Sequence, residues 1–302
     1  MPLEFLTDKH LVRYGRYAGE PSVRQLQDYF LLTRPQLDHL ATLRHPHTRL
    51  GFAVQLCTLQ FLGTFLTDPL DVPDSVIRTL AVQLGLPRTT DLPRYLERRS
   101  TRFEYQTQIR ELLGYKDFDR VEVLHFLRFL YARLLVSDDR PIVLFDLLTA
   151  ELVTRKVVLP GPTLLARIVL RVRERAATRL HRQMAARLSP EQAGRLDDLL
   201  IVPEGKRRSA LDVLRTPPTR QTSPGLLQAL QRLLDIRALG VGQISLADIP
   251  QGRFQALSRH ALVAWSPTLA KLTPLRRHAT LLAVLQHLER SATDTRWIFS
   301  TL

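Results

Sequence analysis

Apolar residues recur at spacings of three and four along nearly the whole chain, which places them on one face of an α-helix. SVRQLQDYFLL (22–32) and TRPQLDHLATLR (33–44) read as two short helices. Thr33 is set to cap the second, and Pro35 falls in its first turn, where a missing N–H costs nothing. Two short helices joined by a tight turn make a helix-turn-helix candidate. TRLGFAVQLCTLQFLG (48–63) is apolar on almost every side. Gln55 and Thr58 leave it only a narrow polar stripe, so it should be a central, buried helix. PDSVIRTLAVQLGL predicts a helix closed by Gly85 and Pro87. TDLPRYLERRSTRFEYQTQIRELLGY reads as one long helix, capped by Asp91 and stopped by Gly114. Ser189, followed by Pro190 and Glu191, starts a later one. Strand-like alternation is almost absent. The fold class is therefore all-α, built from several small helical bundles.

Turn-rich and charged stretches divide the chain. The first helical domain is expected over 1–118, and a second with an Arg-rich helix over 119–202. PEGKRRSALDVLRTPPTRQTSP, within 203–224, reads as a linker holding a short helix. A third helical unit follows over 225–302.

The composition changes the picture in one respect. The chain has 302 residues, and its 43 Lys and Arg against 29 Asp and Glu give a net charge of +14. Such an excess points to a polyanionic partner, most often nucleic acid. A GC-rich gene explains Arg in place of Lys, but not bases outnumbering acids. The single cysteine, Cys57, excludes an internal disulfide framework and a Cys-rich zinc site. No apolar run approaches a membrane span, and the start, MPLEFLTDKH, lacks a signal-peptide core. A cytoplasmic protein is expected.

Four groups of cations stand out. Arg44, His45, His47 and Arg49 precede the apolar helix with no acid among them, although a helix N-terminus carries positive partial charge. A phosphate bound there would resolve the conflict. The alternative is that Arg44 and Arg49 bind neighbouring carboxylates and that Gly51, in the first turn, serves packing. Arg167, Arg171, Arg175 and Arg179 form an i, i+4 row with Leu165, Ile168, Val172, Ala176 and Leu180 facing the core. Like charges at that spacing repel, so a ridge along a phosphate backbone and a solvated Arg-rich face are the two readings. Arg94, Arg98 and Arg102 make a shorter row, with Arg99 beside it, that Glu97 and Glu104 partly neutralise. Lys206, Arg207 and Arg208 lie in a loop. On the second short helix, Arg34 and Gln36 are side-chain types that read guanine and adenine edges.

TRLGFAVQLCTLQFLG also resembles the signature of the N-terminal region of the Tn-three family of replicative transposases. YLERRSTRFEYQTQIRELLGY, VVLPG (157–161) and the run from LADIPQGRF to ERSATD (246–294) resemble the same family in the same order. The resemblance implies an all-helical region that binds the transposon's terminal inverted repeats in double-stranded DNA. The family's RNase H-like catalytic domain, with its two Asp and one Glu for magnesium, lies beyond the matching region. After that region the chain runs TRWIFSTL, which reads as a truncated copy or a fragment.

Enzyme signals are weak. There is no Gly-rich phosphate loop and no GxSxG. His39, His45 and His47 lack a metal-ligand spacing, and Asp138-Asp139 and Asp197-Asp198 are adjacent pairs that do not face each other on a helix. The expectation is a non-catalytic DNA-binding protein with no cofactor, metal, membrane or small-molecule substrate. Its partners would be transposon-end DNA and either a second copy or a full-length transposase. A helical interaction or dimerisation module, and a non-functional remnant, are the competing classes.

Overall fold

A computed structural model describes residues 5–6, 14–66, 68, 70–87, 92–96, 99–218 and 222–293, with the side chains of 96 and 99–102 excepted. Helices are the regular elements of the described residues, whose single isolated β-bridge joins Lys116 to Val157. They fall into two compact units, 1–130 with 140–170 and 131–139 with 171–302.

The first unit begins with α1 (Val23–Tyr29), α2 (Arg34–Thr42) and α3 (Pro46–Leu62). There follow α4 (Asp74–Gln83), a 3-10 turn over Leu92–Leu96 and α5 (Arg99–Leu113). Most of α6 (Arg120–Val136), then α7 (Pro141–Thr154) and the start of α8 (Pro162–Ala185), complete it. Helix α1 is shorter than its apolar pattern, and the reason is tertiary. Gln83 of α4 accepts from Leu32 N at 2.8 Å and donates to Phe30 O at 2.8 Å, so its amide replaces the helix's own bonds. Phe30 is thereby turned fully into the core.

Helix α3 is the axis of this unit. Every residue from Leu50 to Leu59 is buried, including the polar stripe of Gln55 and Thr58. Thr58 is bonded to Tyr17 Oη at 2.8 Å, whereas the Gln55 amide finds no partner among the described residues. An unsatisfied buried amide costs about 1–3 kcal/mol. Cys57 is fully buried on the same helix, and burial pushes its thiol up to about 12. Gly51 is there for packing: a Cβ on it would run into the Tyr95 ring. The helix ends at Gly63 in the left-handed conformation, φ 72°. There the VVLPG segment closes the unit. Leu159 N donates to Gly63 O at 2.8 Å, Thr64 Oγ1 donates to Leu159 O at 3.2 Å, and Tyr14 Oη donates to Pro160 O at 2.9 Å. On its other edge Lys116 N donates to Lys156 O at 2.8 Å and Val158 N to Lys116 O at 2.9 Å.

The second unit holds the rest of α8, with α9 (Pro190–Asp198), α10 (Ala210–Arg215) and α11 (Ser223–Ala238). It ends with α12 (Gln251–Val263), α13 (Ser266–Ala270) and α14 (Pro274–Thr293). Helix α14 is buried from Ala279 to Gln286, and α9, α11 and α12 pack around it. Ser189 caps α9 as its sequence predicts, accepting from Gln192 N at 3.1 Å.

Residues 203–218, read as part of a linker, pack into the second unit. Leu211 and Leu214 of α10 lie in the core shared with α14. The fully buried Ser209 and Ser266 hydroxyls bond each other at 2.8 Å, and Ser266 Oγ donates to Asp212 at 2.8 Å. Arg215 pairs with Asp212 and donates to Ala264 O at 2.6 Å, closing the end of α12. Burial would raise the Asp212 carboxyl, but bonds from Ser266, Ser209 and Arg215 outweigh it and hold it below the usual range. Turn-forming and charged residues dominate this stretch, and its two apolar anchors are too few to show a helical period.

Two glycines make opposite predictions. Gly51→Ala should destabilise the chain by about 1–3 kcal/mol through overpacking against Tyr95. Gly194→Ala on α9, where a Cβ meets nothing within 4 Å, should be neutral or stabilising by up to about 1 kcal/mol. Urea-unfolding midpoints of the two variants check both.

Candidate nucleic-acid interface

The cations ahead of α3 lie where two helix ends meet. Arg49 Nε donates to Leu43 O at 2.7 Å and its Nη2 to Ala41 O at 3.3 Å, at the C-terminal end of α2. Cations belong at that end of a helix. The charge that is unfavourable for α3 is thus favourable for α2, and Arg49 is committed to carbonyls rather than carboxylates. His45 is the N-cap residue of α3 and stacks on His47, ring centroids 5.3 Å apart. Arg44 and His45 are exposed.

On α2, Arg34 is exposed, with Nε 3.4 Å from Asp38 Oδ1. Gln36 is only 5% exposed, and its side-chain oxygen accepts from Thr33 N at 2.8 Å. It closes a capping box through that oxygen. Cap chemistry (Thr33 three residues before Gln36) was the sequence signal for this role. The short helix pair expected from the sequence is α1 and α2.

Arg98 lies outside the described residues. Arg99 and Arg102 belong to α5, which starts after a separate 3-10 turn rather than continuing one long helix from 91. Lys206, Arg207 and Arg208 are all exposed in the turn before α10.

Helix α8 carries the most ordered basic surface. Its inner face is Leu165, Ala166, Val169, Val172, Ala176 and Met184, all buried. Ile168 and Leu180 are half-buried beside them. Arg167, Arg171, Arg175 and Arg179 are all exposed on the opposite side. Helix geometry alone strings them over about 18 Å at one turn apiece. Arg179 Nη1 donates to Tyr131 Oη at 3.2 Å, and its guanidinium lies 5.8 Å from that ring's centroid. Tyr131, 48 residues away in the chain, was not legible as part of this surface. Arg173, off the row, turns to Asp138 at 3.5 Å, a carboxylate it shares with the buried Arg253. No carboxylate among the described residues pairs with Arg171 or Arg175.

The described residues hold no group of three or more His, Cys, Asp or Glu side chains arranged for a metal ion. Nor does any described helix have the length and apolarity to cross a membrane. Asp197, one of the adjacent aspartate pairs, is the carboxylate that Arg277 grips through both oxygens at 2.8 and 2.9 Å.

Helix α8 also carries a half-buried titratable group. Burial, reinforced by the nearby Arg276 and Arg253 charges, lowers the His181 imidazole from 6.5 to about 4. Between those values the unfolded chain takes up a proton that the folded chain does not. Stability should therefore fall as pH drops from 6.5 to 4, by on the order of 1 kcal/mol from this half-buried residue once solvent screening is discounted. His181→Gln should show a smaller loss than the unaltered chain when urea midpoints at pH 7 and pH 4.5 are compared.

The DUF4158 family, described as a domain of unknown function, matches residues 5–172. The chain is 39% identical to the transposase for transposon gamma-delta of Escherichia coli (strain K12), over 97% of this chain and 29% of that protein. It is 33% identical to the transposase for transposon Tn2501 of Escherichia coli, over 83% of this chain and 25% of the relative. For the transposase of transposon Tn1546 of Enterococcus faecium the identity is 27%, over 78% and 24%. The likeness to Tn-three family transposases read in the sequence therefore extends over nearly the whole chain. The chain spans less than a third of the length of these relatives.

Proposed function

We propose that this chain, which belongs to the DUF4158 family, binds double-stranded DNA at the terminal inverted repeats of a transposon and so takes part in transposition. On this reading it supplies DNA recognition, and the chemistry of strand transfer belongs to the rest of the transposases it resembles. The observation that carries the proposal is the outward row of Arg167, Arg171, Arg175 and Arg179 on α8, in a chain of net charge +14. Guanidinium groups at this spacing suit a phosphate backbone, where each contact releases a counterion and makes binding salt-dependent. Arg44, His45 and the loop cations Lys206, Arg207 and Arg208 would add contacts of the same sequence-independent kind. Arg99 and Arg102, with Arg98, extend the candidate surface on sequence grounds. Preference for one repeat must come from groove contacts, and Arg34 is the exposed residue of α2 best suited to them.

Reversing Arg171 and Arg175 to Glu should weaken binding to every duplex alike. It should reduce the slope of log K against log salt by about 2. Titration of an inverted-repeat duplex and a scrambled one at two salt concentrations reads both effects. Binding unchanged by the double reversal removes α8 from the interface, and equal affinity for both duplexes removes end recognition.

One observation favours an interaction module instead. Leu227, Leu230 and Leu234 of α11 are 69%, 44% and 57% exposed at helical spacing. A second copy meeting this stripe would bury it. The dimer reading expects a mass in sedimentation equilibrium that doubles with concentration and that Leu230→Ser returns to the monomer. A monomer throughout rejects it.

A further inference from the structure

An open cleft of about 740 Å³ runs between α12 and α14 in the second unit. We propose that it binds a phosphate group, free or carried on a nucleic acid, at a site separate from the arginine row of α8. Gln251, Gln255 and Arg259 stand one turn apart along α12, and His287 and Arg290 face them from α14. Every polar side chain in that set can donate a hydrogen bond, and no carboxylate among the described residues lines the cleft. Glu289, the acid next to Arg290, is turned away toward Arg237, with an N–O distance of 3.2 Å. The volume falls in the range of sites that take small ligands.

The two arginines are held differently. The Arg290 guanidinium lies 5.1 Å from the centroid of Phe254, the mostly buried ring on the cleft wall. Stacking of this kind orients the planar fork while leaving its N–H edge for an acceptor. Arg259 makes one long bond, Nε to Gln255 O at 3.3 Å within its own helix, and is exposed. An anion between them would gain charge-assisted bonds from two helices at once, with the Gln255 amide and His287 ring alongside. The wall itself is rigid, because Ser258 is buried and bonds Phe254 O at 2.9 Å and Ala283 O at 3.1 Å.

The test uses the full 302-residue chain. Inorganic pyrophosphate is titrated calorimetrically into the unaltered chain, Arg259→Gln, Arg290→Gln and the Arg171/Arg175 reversal. The expected result is a dissociation constant raised at least tenfold by each cleft substitution and unchanged by the reversal on α8. Arg290→Gln also removes a ring contact. If it melts early, Arg259→Gln alone decides the matter, since that side chain holds nothing else in place. A short single strand with and without a 5′-phosphate then identifies the source. Displacement by pyrophosphate assigns the cleft to nucleic-acid phosphate, and failure of displacement with pyrophosphate still bound assigns it to a free anion. Absence of pyrophosphate binding, or binding indifferent to both cleft substitutions, overturns the proposal. Loss of duplex affinity in the α8 reversal is read separately, so the two sites stand or fall independently.

Discussion

Burying helix α3 on all sides is the constraint from which the first unit follows. A helix with no solvent face must be given a wall in every direction, and each neighbouring element supplies one. Gly51 admits the Tyr95 ring, Phe52 meets His39 and Tyr105, and Thr58 is met by Tyr17. Where the helix stops, Gly63 takes the left-handed turn that lets Leu159 bond to its carbonyl. The TRLGFAVQLC and VVLPG stretches are therefore two halves of one joint. Their residue types are explained by close packing, with no ligand required.

The large arginine content divides into two kinds. Many arginines hold the fold together by binding carbonyls at helix ends or carboxylates on other elements. Arg49 does so on α2, Arg215 on α12, Arg277 on Asp197, and Arg253 on Leu134 O and Asp138. These charges are already answered and add little to an outside field. The row on α8 is of the other kind, with its apolar neighbours facing inward. The excess of charge over the whole chain is thus a poor guide to an interface, and the separation of the two kinds is a better one.

Much of the helical pattern was legible because it rests on local rules. Caps at Ser189 and Thr33 and the stops at Gly85 and Gly114 depend on residues within a few positions. The burial of α3 follows from its composition alone. What escaped the sequence depends on partners far along the chain. Gln83, more than fifty residues away, ends α1 early. Asp212 and Ser266 turn a turn-rich stretch into part of a core. Gln36 looks equally suited to a groove or a cap, and only the depth of its burial decides. Exposure of the α8 row was readable because amphipathicity fixes both faces of a helix together.

Cys57 gives the first unit a chemical clock. It is the chain's one cysteine, it is fully buried in the middle of α3, and its raised thiol is unreactive while the helix stays packed. A thiol reagent can reach it only through an opening of that unit. The rate of modification therefore reports opening events around α3 and is blind to the second unit, which carries no sulfhydryl of its own. The chain comes with a single-site probe that resolves the dynamics of one half without labels or substitutions.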